Sequence, residues 1–131
     1  MEVHLKIIGI LLLLLALIHI IFPKYFDWEK ELSSLSLVNK QLMHVHTFFI
    51  ALVVFMIGIF CLSCTDDIIR TRLGHNTALG LSVFWGIRLI FQFFVYSPKL
   101  WKGKLLETII HYLFAVIWTY FTVVFFLIYN S

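Results

Sequence analysis

Hydrophobic positions in this chain fall into four long, almost unbroken runs, at roughly residues 5–22, 42–64, 77–96 and 105–129. The hydrocarbon core of a bilayer is about 30 Å thick and takes about 20 apolar helical residues to cross. All four runs are long enough. None alternates polar and apolar positions as a barrel strand must, and backbone groups in lipid are otherwise satisfied only in helices. The pattern therefore predicts an all-α membrane protein: a four-transmembrane-helix bundle forming one domain over residues 1–131. Pro23 is expected to end the first span and Ser97-Pro98 the third. Lys6 followed by an Ile/Leu run has the look of a signal peptide. The exit His19-Ile20-Ile21-Phe22-Pro23 lacks a small-residue cleavage pattern, so the segment is read as a retained span.

Between the first two spans, Trp28, Leu32 and Leu35 recur at helical spacing while Glu29, Lys30 and Glu31 lie off that face. This predicts a short interfacial helix, anchored by Tyr25, Phe26 and Trp28. Trp101 with Lys99, Lys102 and Lys104 forms a second candidate anchor.

Lipid supplies no hydrophobic drive for helix association, so small and polar residues mark the inward faces. The first span offers Gly9, Ala16 and His19, and the second His44, Thr47, Ala51 and Gly58. In the third, Trp85, Arg88, Gln92 and Tyr96 make a polar stripe beside a small one of Ala78, Ser82 and Gly86. The fourth carries Glu107, His111, Ala115, Trp118 and Thr122. Spacings of three and four put each set on one face. His46 stands about 200° around the helix from His44 and is expected to look outward.

Composition agrees. Hydrophobic residues make up 62% and charged residues 13%, with mean hydropathy +1.00, whereas a soluble domain carries about 25% charge. The formal net charge of +3 suits anionic headgroups. No basic stripe follows a phosphate backbone, which excludes a nucleic-acid reading. Lys24, Lys30, Lys40, Lys99, Lys102 and Lys104 share one side of the four-span topology, against Lys6, Arg70 and Arg72 on the other. The positive-inside rule then places the lysine-bearing loops in the cytoplasm and both termini outside, as in a bacterial inner membrane.

Depth sharpens the polar pattern. At about 1.5 Å per residue, His19, His44, Gln92 and Glu107 lie roughly 3–6 Å from the lysine-rich boundary, His111 about 9 Å and Arg88 about 12 Å. A mid-span charge costs at least about 2.5–3.5 kcal/mol on insertion scales. Arg88 is thus expected to pair with Glu107, the one carboxylate within a span, with Gln92 a turn away. Four chemistries fit this set. It can be a polar lock that fixes helix register. His19, His44 and His111 can ligate haem b, with Arg88 or the loop lysines on its propionates, or a divalent metal with Glu107 beside them. Arg88 can instead clamp an anionic lipid headgroup. His111 and Glu107 can form an acid–base pair in a lipid-modifying enzyme, although no activated nucleophile lies near that boundary; the metal reading has no H-E-x-x-H motif behind it. Cys61-Leu-Ser-Cys64 reads as thiol–disulfide chemistry or as small buried hydrophobes; no second cysteine pair exists to relay electrons.

Thr47-Phe48 opening the second span and Phe94-Val95-Tyr96 closing the third are similar to the ergosterol biosynthetic scaffold proteins, also small four-span membrane proteins. That resemblance implies a non-catalytic tether for lipid-synthesising enzymes. The chain also resembles uncharacterised bacterial four-helix membrane proteins. Taken together, the expectation is a membrane binding or scaffold protein, whose partners are membrane lipid and another membrane protein or a second copy of itself. A haem- or metal-bearing redox component is the alternative, and a small lipid-modifying enzyme the second alternative.

Overall fold

Four long helices carry the apolar runs in a computed structural model of the protein, which describes residues 1–95 and 103–131. Readings made on Tyr96, Ser97-Pro98, Lys99, Trp101 and Lys102 lie outside the described residues. The helices are α1 (Glu2–Tyr25), α2 (Trp28–Glu31), α3 (Leu37–Ser63), α4 (Thr65–Arg70), α5 (Arg72–Phe94) and α6 (Leu105–Asn130). The fold is all-α, and α1, α3, α5 and α6 are each long and apolar enough to cross a membrane, as the sequence predicts. Among them α5 has the lowest mean hydropathy, 1.5, against 2.0 to 2.8 for the others. It is the helix that carries Arg88 and Gln92.

Two compact units form, residues 3–65 and residues 66–131 with residues 1–2. In the first, α1 and α3 cross where Gly9 meets Gly58. A Cβ placed on Gly58 would stand 3.0 Å from the Gly9 carbonyl oxygen, and one on Gly9 would stand 2.7 Å from Leu62 Cγ. Only hydrogen at these two positions lets the backbones approach so closely. Leu5, Ile8 and Leu12 are fully buried on α1, and Ala51, Val54 and Cys61 are buried on α3.

Pro23 does not end the first helix. α1 runs on to Tyr25, and the Phe26 amide still donates to the Phe22 carbonyl at 2.9 Å. Proline removes its own donor and crowds one carbonyl a turn back, and the helix continues only two residues beyond it. The short helix between the first two spans is present but stops at Glu31. Trp28 is buried, Leu32 half-buried and Leu35 40% exposed, so the apolar face extends less far than its spacing predicts. Ser36 caps α3 by accepting from the Asn39 amide at 3.3 Å, which starts that helix ahead of its apolar run.

In the second unit, α4 was not foreseen. Its corner with α5 is held by Thr71, whose hydroxyl accepts from the Gly74 amide at 2.9 Å and donates to the Asp67 carbonyl at 2.6 Å. The α5 backbone at Gly74 lies directly on Asp67 and Ile68, where a Cβ would collide with main chain. Along α5 and α6, Ser82 donates to the Thr122 carbonyl at 2.9 Å, Trp85 stacks on Trp118, and Gln92 meets His111. Moving back along one helix moves forward along the other, so the pair is antiparallel.

Candidate functional site

The α5–α6 register sets which polar groups can meet, and Gln92 is where they do. Its side chain is 6% exposed and that of His111 is 7% exposed. The Gln92 amide nitrogen donates to His111 Nδ1 at 3.0 Å and approaches the His111 carbonyl at 3.3 Å. Its oxygen accepts from Arg88 at 3.4 Å and from the Trp118 indole at 3.4 Å. Both faces of the amide are thus occupied, and only this orientation works. Turned over, the amide would set its N–H₂ against a guanidinium and an indole N–H, neither of which accepts. The same orientation makes His111 Nδ1 the acceptor of this bond. The 3.0 Å bond is the strong member, and the three longer contacts contribute less.

Aromatic rings surround this network. Trp118 stacks on Trp85 at 4.9 Å with 10° between planes, and the Arg88 guanidinium lies 5.2 Å from the Trp118 ring centre. A cation over an indole face is worth about 0.5–2 kcal/mol, more where water is excluded. Phe93 and Tyr112 meet the His111 ring edge-on at 5.7 and 5.1 Å. The Trp85 indole nitrogen is buried with no acceptor among the described residues. Such a donor costs about 1–3 kcal/mol.

The expected Arg88–Glu107 ion pair does not form. Arg88 and Glu107 are not within 4.0 Å of each other, whereas Arg70 pairs with Glu2 at 3.8 Å and with Asp66 at 3.9 Å. The reason is register. Trp85 opposite Trp118 and Gln92 opposite His111 place Arg88 level with Ala115, about 12 Å along α6 from Glu107 at about 1.5 Å per residue. Glu107 is exposed in the first turn of α6, and no hydrogen bond joins it to His111. The acid–base pair read from the sequence is therefore not assembled.

His19 and His44 belong to the other unit. His19 Nδ1 bonds the Leu15 carbonyl of its own helix at 2.8 Å, and its ring packs on Phe22 at 4.9 Å. His44 is exposed and meets the Trp28 ring edge-on at 5.4 Å. His46 is exposed too, and so is not set apart from His44 by burial. Among the described residues, no three His, Cys, Asp or Glu side chains are grouped as metal ligands would be. Each of the three candidate histidines already has a local partner of its own. Cys61 and Cys64 are free thiols, the first buried.

Sequence reasoning singled out Arg88, Gln92 and His111 but left Trp85 and Trp118 as stripe residues. Trp118 lies seven residues after His111, two turns along one face, which is the signal that joins them. Reasoning from the sequence also missed a cavity of about 530 Å³ between the end of α1, α2 and the start of α3. Compared with protein-family models, curated proteins and solved structures, the chain matches none.

Proposed function

We propose that this chain is a multi-pass membrane protein of the binding or scaffold kind, with α5 and α6 as its rigid framework. The observation that carries this reading is the Gln92 network. The polar groups best suited to chemistry, Gln92 and the Nδ1 of His111, engage one another, and Glu107 stands apart from both. A buried network of this kind fixes the register of two helices and the surface they present. That surface is broad and apolar, with Phe84, Ile87, Phe91 and Val116 all about half exposed or more. The lysine distribution supports a bacterial inner-membrane location with the 24–41 loop in the cytoplasm and both termini outside. The partner is another integral membrane protein or a second copy of the chain, and service to lipid metabolism accords with the scaffold resemblance.

The test combines chromophore and contact. Detergent-purified protein is expected to be colourless and metal-free by visible spectrum and elemental analysis. A photo-crosslinking residue at Phe91 is expected to give one discrete protein adduct in membranes, weakened by Gln92→Leu. A Soret band that disappears in His111→Ala, or a stoichiometric metal, would establish the redox alternative instead. Adducts to lipid alone would remove the scaffold reading.

A further inference from the structure

The cavity in the first unit lies at the level where α3 leaves the hydrocarbon. With 27 residues, α3 is roughly 40 Å long at about 1.5 Å per residue, longer than the roughly 30 Å core. Its apolar run begins near Leu42, so Lys40 and His44, one turn apart, stand at the boundary. The cavity of about 530 Å³ is lined by Lys40 and His44 of α3 and by Lys24, Asp27 and Glu29 from the end of α1 to α2, with Trp28 beside His44. Its size falls within the range of about 300–1,000 Å³ that small-molecule sites occupy.

The charges are unusual in two ways. First, they balance: two lysines and two carboxylates share the lining, which is neutral when His44 is neutral. Second, they are not used internally. Neither lysine is within 4.0 Å of Asp27 or Glu29. Lys40 is half-buried even so. Asp27 occupies the N-cap position of α2 with φ 51 and ψ 54, yet its carboxylate does not cap the helix. An anion alone would meet two carboxylates here, and a cation alone would meet two ammonium groups. A ligand carrying both charges a few ångströms apart satisfies the whole lining.

We propose that this cavity binds a phosphoester with an adjacent ammonium group, supplied as the zwitterionic headgroup of a membrane phospholipid. Lys24, Lys40 and His44 take the phosphate, and Asp27 and Glu29 take the ammonium. The lipid's acyl chains run down the exposed apolar flank of α3 at Val45 and Phe48, which are 48% and 57% exposed. The site does not rest on the α5–α6 network and stands or falls separately from the proposed function.

Native mass spectrometry of the full chain, exchanged into nanodiscs of defined composition, tests it. Wild-type protein is expected to retain one phosphatidylethanolamine about tenfold more strongly than phosphatidylglycerol. The doubly neutralised variant Asp27→Asn with Glu29→Gln turns the lining cationic and is expected to reverse that preference, while Lys40→Ala weakens retention of both lipids. Asp27 and Glu29 are exposed, and a melting curve checks that their variants remain folded. Equal retention of the two lipids by wild-type protein overturns the proposal without reference to any variant. Displacement of the lipid by soluble phosphoethanolamine at equal concentration overturns the lipid source, and inorganic phosphate doing the same overturns the need for an ammonium group.

Discussion

Gln92 makes the α5–α6 contact specific because an amide can donate on one side and accept on the other. Replacing it by leucine keeps much of the volume but leaves the Trp118 indole and His111 Nδ1 without that partner. A loss of about 1–2 kcal/mol is expected in detergent unfolding, the upper part of the range for intramembrane hydrogen bonds. Trp85→Phe should behave oppositely. It keeps a ring against Trp118 and removes the unsatisfied indole donor, so melting temperature is expected to stay level or rise. A clear fall would mean that Trp85 has an acceptor bound in the membrane. At this scale Arg88, Gln92 and His111 were legible in the sequence, because polar side chains in oil stand out. Their partners were not. Pairing Arg88 with Glu107 required the register between two helices, which hydropathy does not contain. Trp118 stood on the same stripe as His111, but its reach across to Gln92 depends on that same register.

Helix existence was the most legible feature at the level of elements, since runs of about 20 apolar residues have few alternatives. The ends were less so. α3 and α5 start ahead of their apolar runs because Ser36 and Thr71 cap them, and α1 continues through Pro23. α4 has only six residues, too few to show a helical period. Gly9 and Gly58, read from the sequence as inward-facing, lie where α1 and α3 cross, a pairing the stripes did not specify. Gly9→Leu is expected to force the helices apart at Gly58 and Leu62, at a cost of about 1–3 kcal/mol, the usual penalty of overpacking. Gly74→Ala should be costlier than its size suggests, because the obstruction is the Asp67 and Ile68 backbone rather than a flexible side chain. Gly86→Ala is the matched control. Its new Cβ would meet Thr122 Cγ2 at 3.6 Å, an ordinary contact, and stability should be nearly unchanged.

For the whole molecule, the chain follows the rule that the bilayer leaves few uses for a polar side chain other than another polar side chain. Topology can be checked directly. In a background lacking Cys61 and Cys64, a cysteine at Ser33 is expected to react with an impermeant thiol reagent from the cytoplasmic side only. Reaction from the opposite face would invert the orientation read from the lysines. The most direct measurement is a double-mutant cycle between Gln92→Ala and His111→Ala, read as reversible unfolding in bicelles. If these side chains close on one another across α5 and α6, the two losses should fall short of additivity by about 0.6–1.7 kcal/mol. Strict additivity would mean that they act apart, and the polar lock would not exist.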